Sequence, residues 1–307
     1  MTKLNNSKQQ HPDYKTKFGS MIVGTAETIL SSKKAAKYKG KVQLVFTSPP
    51  FPLNRKKKYG NLQGAPYITW LEQMSLLLRD FLTEDGSIVM EVGNAWQKGA
   101  PVMSTLALRS LLAFQEKAKL HLCQQFICYN PARLPGPAQW VTVERVRVKD
   151  AFTHVWWMSP SMRPKADNRK VLKEYSKSML HLLKSKKYNA GMRPSEHSIG
   201  ERSFLKNNKG AIPSNVLTLS NTRANDDYQI YCRENHLPMH PARMQRALAD
   251  FFINFLTDPG DLVLDPFAGS NTTGASAEYL KRKWLSVEPN EDYVRSSYGR
   301  FANGQLK

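Results

Sequence analysis

The 307-residue sequence has few cysteines, a deficit of acidic residues and no long apolar run. No window of about 18 uninterrupted apolar residues is present, so the sequence predicts no membrane-spanning helix. Its three cysteines, Cys123, Cys128 and Cys232, form no C-x-x-C pair. We therefore expect reduced thiols in a cytoplasmic protein, with no zinc or other metal site.

Acidic residues are outnumbered by basic ones, with 45 Lys and Arg against 25 Asp and Glu and a net charge of +20. The basic residues are spread along sequence that is 41% hydrophobic, enough to form a large folded core. A charge of this size favours a polyanionic partner. Its distribution indicates nucleic acid rather than a basic surface that only maintains solubility.

Two common nucleotide-binding patterns are also missing. Neither G-x-G-x-x-G nor G-x-x-x-x-G-K-[ST] occurs, which disfavours nicotinamide cofactors and ATP. Residues 263–274 instead read VLDPFAGSNTTG, a pattern that predicts a strand, a glycine turn and a helix start. Ligands in open α/β sheets bind at such strand ends.

Four residues of this region and of the following strand are suited to hold a ligand. Gly269 allows close approach of the backbone, and Asn271 and Thr272 can cap the helix and hold a carboxylate. Glu288, at the end of the next predicted strand, can accept ribose hydroxyls. A turn-forming Asp265 and a solvated Glu288 are the structural alternatives.

The most informative segment is Thr47-Ser48-Pro49-Pro50-Phe51, which follows an apolar run predicted to be a buried strand. An exocyclic base amine is a poor nucleophile because its lone pair is delocalised into the ring. The Ser48 hydroxyl and the Pro49 carbonyl can accept hydrogen bonds from such an amine, and the two prolines fix the backbone. Phe51 can stack on an extruded base. Alone, such a turn is often only a loop.

Together, the two motifs resemble those of the amino methyltransferases of restriction–modification systems, in the arrangement where the catalytic motif precedes the cofactor motif. Serine in the first position of S-P-P-F/Y is typical of the N4-cytosine enzymes of type II systems, whereas adenine enzymes usually carry D-P-P-Y. The likeness extends over nearly the whole chain. It is carried by residues 48–61, 130–141, 147–157, 193–215, 240–243 and 269–274.

The resemblance implies a Rossmann-like α/β fold with a mostly parallel sheet, S-adenosyl-L-methionine as cofactor, and double-stranded DNA as substrate. It also implies a cognate restriction endonuclease as functional partner. The catalytic residues it assigns are Ser48, Pro49, Pro50, Phe51 and Glu91, and the cofactor-binding residues are Asp265, Phe267, Gly269, Asn271, Thr272 and Glu288. Glu91 matches an acidic position that is proposed in this family to polarise the serine. The family pattern has the shorter Asp there, so the alternative is that Glu91 is only a carboxylate at the end of a strand.

Alternating apolar patterns predict strands at 42–46, 87–92, 120–128, 155–158, 262–265 and 284–287, with helices at 67–82, 106–119 and 242–256 and from 272. This alternation favours a mostly parallel sheet covered on both faces. We expect a catalytic half at 14–160, a loop-rich target-recognition insert at 161–238 and a cofactor-binding half at 239–307. The insert has 15 Lys and Arg against 7 Asp and Glu.

The basic run Arg55, Lys56, Lys57 and Lys58 directly follows the catalytic turn, where it is predicted to bind phosphates around the extruded nucleotide. The alternative is a solvated face. Cytosine-C5 methylation is disfavoured because its nucleophile is commonly presented as Pro-Cys, and no proline precedes any cysteine here. An adenine-N6 methyltransferase, a catalytically inert DNA-binding module and an RNA substrate remain open alternatives.

Overall fold

The computed structural model describes residues 14–51, 64–202, 204–220 and 226–302. The strands in these ranges are β1 Tyr14–Lys15, β2 Gly19–Val23, β3 Val42–Thr47, β4 Leu82–Gly93, β5 His121–Tyr129, β6 Phe152–Ser159, β7 Gly191–Met192, β8 Ser198–Ile199, β9 Val216–Thr218, β10 Leu262–Asp265 and β11 Lys283–Glu288. The α-helices are α1 Ala26–Leu30, α2 Gly64–Arg79, α3 Leu106–Lys117, α4 Lys177–Ser185, α5 Asp227–Glu234, α6 Arg246–Leu256, α7 Thr272–Tyr279 and α8 Glu291–Ser297.

Nine strands form one mixed sheet in the order β1-β2-β11-β10-β3-β4-β6-β5-β9. The strands from β2 to β4 in this order are parallel, whereas β6 runs antiparallel to both of its neighbours, β4 and β5. The predicted α/β fold with a mostly parallel sheet is confirmed. Because parallel strands point their carboxyl ends to one edge, the loops after β3, β4, β10 and β11 meet there.

The central strands are apolar on both faces, as a sheet covered by helices requires. All six residues of β3 are buried. Val42 and Val45 pack with α1, α2 and α3 on one face, and Leu44 and Phe46 pack with α6, α7 and α8 on the other. Each fully buried Leu, Val or Phe contributes about 1.5–3 kcal/mol to folding, so helices on both faces stabilise the strands that carry the site.

The predicted boundary between the first long helix and the next strand was wrong. Helix α2 ends at Arg79, and Leu82, expected as its last residue, begins β4 by pairing with Val42. The Asp85-Gly86 turn is an irregularity within β4, where the register shifts so that Leu44 pairs with Ser87. A Cβ on Gly86 would lie 2.9 Å from the Thr83 hydroxyl, so the close backbone packing here requires glycine.

Residues Asp167–Ser214 form a compact unit of their own, which contains α4, β7 and β8. No residue of α4 is fully buried. This unit covers fewer residues than the predicted insert, which extends from 161 to 238. The larger unit includes β9, because Val216–Thr218 pairs with β5, forms one edge of the sheet and buries Leu217. Among the described helices, none is long and apolar enough to span a membrane.

Candidate active site

A cavity of about 740 Å³ opens at the edge of the sheet where β3, β4, β10 and β11 end. One part of it is lined by the turn after β10 and by the end of β11 and is named the cofactor end, for the ligand that the sequence predicts there. The other part is lined by the turn after β3 and by residues of β4, β5 and β6 and is named the base end, for the base that the sequence predicts there. Of the predicted catalytic and cofactor residues, all line this cavity except Asn271.

The turn after β10 comes close to a histidine from a distant segment. Gly269 has a φ of +51°, and a Cβ at this position would lie 3.0–3.2 Å from the ring of His240. A side chain here would therefore be strained and crowded. Glycine at 269 therefore lets the turn pack against His240, and Gly269 lines the cavity. The predicted close approach of a ligand to this backbone stays a prediction.

The Asp265 carboxylate connects the turns at the two ends of the cavity. It accepts hydrogen bonds from Thr47 Oγ1 at 2.7 Å, Thr273 Oγ1 at 2.6 Å and the Phe267 amide at 3.1 Å. Burial raises its pKa to about 6, although all three hydrogen bonds favour the charged form. Its observed role is to anchor the loops, because these bonds connect the catalytic turn, the cofactor turn and helix α7.

Glu288 ends β11 at the cavity wall. Its two carboxylate oxygens accept the amides of Gly269 and Asn290, both at 3.0 Å. Burial raises the pKa of this carboxyl, and the two amide bonds act in the opposite direction. Each oxygen retains a lone pair that can accept a further hydrogen bond from a ligand.

Asn271 has a different position from the one expected for a cofactor contact. It is fully buried and caps α7, accepting the Gly274 amide at 3.1 Å, and its side chain also bonds Ser286 and Tyr14. Its φ of +54° is a conformation that Asn tolerates better than most residues. The predicted capping role is confirmed, and Asn271 is not among the residues that line the cavity. Thr272 does line the cavity.

One wall of the cavity is aromatic and was not foreseen from the sequence. Phe267 and Trp70 have ring centroids 5.4 Å apart, Trp70 and Tyr67 are stacked at 5.7 Å, and Tyr67 meets Phe51 edge-on at 5.9 Å. The sequence predicted a helix over 67–82 and no site role for Tyr67 or Trp70. The Tyr67 hydroxyl is buried and has no hydrogen-bond partner among the described residues.

The catalytic turn follows β3 at the base end. Ser48 is exposed, and its hydroxyl donates to the Glu91 backbone carbonyl at 3.2 Å. Pro49 and Phe51 are buried, with Phe51 9% exposed and packed in the core cluster that contains Leu71. The two prolines hold the Ser48 hydroxyl at the cavity surface, because neither has an N–H that would pair this segment with a neighbouring strand.

Glu91 contacts Ser48 through its backbone rather than its carboxyl group. The carboxylate accepts the Thr153 hydroxyl at 2.9 Å, and burial raises its pKa despite this bond and the nearby Arg133. The sequence predicted that an acidic side chain here polarises the serine. In the structure, only the carbonyl of Glu91 has a hydrogen bond to Ser48.

The base end is otherwise polar, and most of its residues were not among the predicted site residues. They are Asn94, Asn130, Arg133, Thr153 and Cys128. Burial raises the pKa of the Cys128 thiol to about 12, so it stays protonated and is a poor nucleophile. The predicted phosphate-binding run Arg55, Lys56, Lys57 and Lys58 lies outside the described residues.

Comparisons with known proteins show which family this chain resembles. The type II methyltransferase M.PvuII of Proteus hauseri is 41% identical over 297 residues, covering 96% of this chain and 87% of that protein. A solved structure of the PvuII DNA methyltransferase, described as cytosine-N4-specific, has a TM-score of 0.76 and 36% identity, covering 95% of this chain and 89% of the other. Over 94 residues, the DNA adenine methyltransferase YhdJ of Escherichia coli strain K12 is 38% identical, covering 30% of this chain and 29% of that protein.

The fold is also shared with the DNA modification methylase TTHA0409 of Thermus thermophilus, solved with S-adenosyl-L-methionine, at a TM-score of 0.55 and 18% identity over 92% of each chain. A sequence model of the N6/N4 DNA methylase family matches residues 42–299, which include both the turn after β3 and the turn after β10. With a match over most of its length and a relative 41% identical over 96% of it, this chain belongs to the N6/N4 DNA methylase family.

Proposed function

We propose that this protein is a site-specific DNA methyltransferase that transfers a methyl group from S-adenosyl-L-methionine to the N4 amine of a cytosine flipped out of duplex DNA. One observation carries the proposal. The acceptor turn at Ser48-Pro49 and the glycine turn at Gly269 open into a single cavity. A reaction between an amine and a methyl donor requires both binding sites to share one space.

The residues at the cofactor end fit S-adenosyl-L-methionine. The Glu288 carboxylate has lone pairs for ribose hydroxyls, and the aromatic wall at Phe267 and Trp70 offers an apolar surface for the adenine ring. Gly269 lines the cavity, and glycine at this position avoids a clash with the His240 ring. When bound, the cofactor supplies an electrophilic methyl group on a sulfonium centre.

The residues at the base end prepare the amine. The Ser48 hydroxyl donates its proton to the Glu91 carbonyl, so its oxygen lone pairs remain available to an N–H of the amine. The Pro49 carbonyl provides a second acceptor. Two such bonds would localise the nitrogen lone pair for attack on the methyl group that a bound cofactor would supply. The proton that the amine loses would pass through the exposed Ser48 hydroxyl to solvent. Phe51 supports the base from the cavity wall.

Basic residues of the compact unit support duplex DNA as substrate. Between Asp167 and Ser214 the sequence has 11 Lys and Arg against 4 Asp and Glu. The unit leaves much of α4 exposed, as expected for a surface that binds phosphates and reads base edges. We assign target recognition to this unit and phosphate binding near the base to Arg55, Lys56, Lys57 and Lys58.

The biological role we propose is protection of host DNA from a cognate restriction endonuclease. It is supported by the 41% identity to M.PvuII, a type II methyltransferase, over nearly the whole chain. Single-molecule sequencing of DNA from cells that produce the protein should show one modified sequence motif. Protection of that DNA from the endonuclease of the same system then tests the partnership.

The reaction is tested by incubating the protein with duplex DNA and radiolabelled S-adenosyl-L-methionine, followed by nucleoside analysis. We expect label in N4-methylcytosine. Label found only in N6-methyladenine would contradict the choice of base and favour the adenine reaction, for which the partial likeness to YhdJ is the supporting observation. Failure to bind the cofactor in calorimetry would instead indicate an inert DNA-binding module.

A further inference from the structure

The connection between β5 and β6 brings two hydrogen-bond donors to the base end of the cavity. Asn130 and Arg133 both line it, and both follow the carboxyl end of β5. Their backbone is held in place, because the Asn130 amide donates to Ala151 at 2.8 Å and the Arg133 amide donates to the Asn130 carbonyl at 3.2 Å. These side chains therefore begin from fixed positions beside the catalytic turn.

The Asn130 side chain can act toward a ligand as a donor. Its Oδ1 accepts the Ala132 amide at 3.1 Å, which uses the carbonyl side of the group to stabilise the local turn. The Nδ2 group has no partner among the described residues. A ligand that reaches this part of the cavity would meet an N–H donor.

Arg133 is also a donor with unused capacity. One of its N–H groups bonds the Phe152 carbonyl at 3.2 Å, and a guanidinium has five N–H donors and no acceptor. Its positive charge acts on the Glu91 carboxyl and on the Cys128 thiol, both of which line the base end. The guanidinium therefore lies within electrostatic reach of the position where the base would be held.

We propose that Asn130 and Arg133 form a donor subsite for the ring acceptors N3 and O2 of the target cytosine, and that this subsite selects cytosine over adenine. The inference rests on the proposed function. Cytosine presents two adjacent acceptors next to its amine, so acceptors at Ser48-Pro49 and donors at Asn130 and Arg133 match its whole Watson–Crick edge. In this arrangement Ser48 binds the amine, which cytosine and adenine both have, and Asn130 and Arg133 select the base.

Adenine does not satisfy the same donors. Its edge has one ring nitrogen beside the amine and then a C–H group where cytosine has O2. A donor facing that C–H would be buried without a partner, and sites built to bond a polar group reject analogues that lack it. The competing role for Arg133, a contact to a DNA phosphate, predicts no dependence on the identity of the base.

The test compares two duplexes that contain the enzyme's recognition sequence and differ only at the target base, which is cytosine in one and adenine, the analogue, in the other. Adenine keeps the amine and the neighbouring ring nitrogen but has C–H where cytosine has O2. Asn130→Asp keeps the acceptor for Ala132 and removes the donor, and Arg133→Lys keeps the charge and removes the forked donor. Arg109→Lys, on the exposed face of α3, is the matched control. Cofactor binding by each variant is measured to show that it is folded.

For the unmodified protein we expect kcat/KM on the analogue to fall by about 10- to 100-fold, the range typical of one lost bidentate pair. This penalty should persist in the Arg109→Lys control and shrink to within about threefold in Asn130→Asp or Arg133→Lys, because the variant has already lost the donor. The cytosine duplex should itself be methylated more slowly by that variant.

Two results would overturn the subsite. One is an analogue penalty that is absent in the unmodified protein or unchanged in both variants. The other is a loss of duplex affinity in Arg133→Lys that varies with salt while the analogue penalty stays intact, which would make Arg133 a phosphate contact. Failure of the proposed function is seen separately, as N6-methyladenine or no product from the unmodified protein on natural duplex DNA.

Discussion

The Thr47 hydroxyl donates a hydrogen bond of 2.7 Å to the Asp265 carboxylate, which lies 218 positions later in the sequence. Both residues are buried and each ends a strand, β3 and β10. The Thr273 hydroxyl donates to the other carboxylate oxygen at 2.6 Å. One side chain therefore sets the distance between the catalytic turn and the cofactor turn, and changes to it should affect stability and catalysis together.

Asp265 should make stability depend on pH. Its folded pKa of about 6 lies above the ordinary value of 3.8, so the folded state binds a proton more tightly than the unfolded state. The stability from this group is fully present below pH 3.8 and is lost as pH rises through 6. We expect the free energy of unfolding of the unmodified protein, relative to Asp265→Asn, to fall by on the order of 3 kcal/mol between pH 4 and 7. Denaturant titrations of both proteins at pH 4 and pH 7 measure this difference in the free energy of unfolding.

The exposed Asp80→Asn variant is the control for this measurement, since Asp80 pairs with Lys39 at the surface. A relative stability that does not change with pH for Asp265→Asn would show that the carboxyl is charged throughout this range.

Ser48→Ala should lower the rate of methyl transfer with little change in cofactor affinity. The substitution removes one acceptor for the amine and leaves the cofactor end untouched, and a positioned group of this kind contributes about 10²-fold or more to a rate. Single-turnover kinetics give the rate and calorimetry gives the affinity. Ser31→Ala, at an exposed position after α1, is the control. A collapse of cofactor binding would show that the two ends of the cavity are not separable.

Glu288→Gln should weaken cofactor binding by about 10- to 100-fold, because hydrogen bonds to a charged group contribute about 1.5–3 kcal/mol. The variant also replaces one oxygen that holds the Gly269 or Asn290 amide. Calorimetry with S-adenosyl-L-methionine measures the change, and Glu291→Gln, on the exposed side of α8, should bind normally. Unchanged affinity in Glu288→Gln would remove Glu288 from the cofactor site.

Tyr67→Phe should raise the free energy of unfolding by about 1 kcal/mol, because it removes a buried hydroxyl that has no described partner. The same change should lower kcat/KM for the cofactor by about fivefold if the hydroxyl bonds a bound ligand. Tyr228→Phe is the contrasting variant. Its hydroxyl accepts the His240 amide at 2.8 Å, so its loss should destabilise the fold. Higher stability with unchanged kinetics in Tyr67→Phe would assign the hydroxyl no role in binding.

Local patterns in the sequence were enough to predict the strands and the helix that carry the two motifs. The strand Leu262–Asp265 and the helix start at Thr272 were predicted with the observed bounds, because a short apolar run ending in a turn and a capping Asn are signals contained within a few residues. The mostly parallel sheet followed from the alternation of strands and helices. The family resemblance then implied the reaction type and the cofactor.

Contacts between distant segments could not be predicted in this way. The pairing of Leu82 with Val42, the edge strand at Val216–Thr218 and the aromatic wall of Tyr67, Trp70 and Phe267 each depend on chain segments that meet only in the folded protein. Glu91 was singled out for its carboxyl group, but its backbone carbonyl holds Ser48. Residue type and spacing do not reveal which atom of a residue faces a neighbour.

The fold class, the family and the two turns that carry the chemistry can be predicted from the sequence, because they depend on local periodicity and on short motifs. Only in the folded chain does Asp265 connect the two turns, and only there do Asn130 and Arg133 line the base end. Strand pairing and core packing set these positions, and both act between residues that are far apart in the sequence.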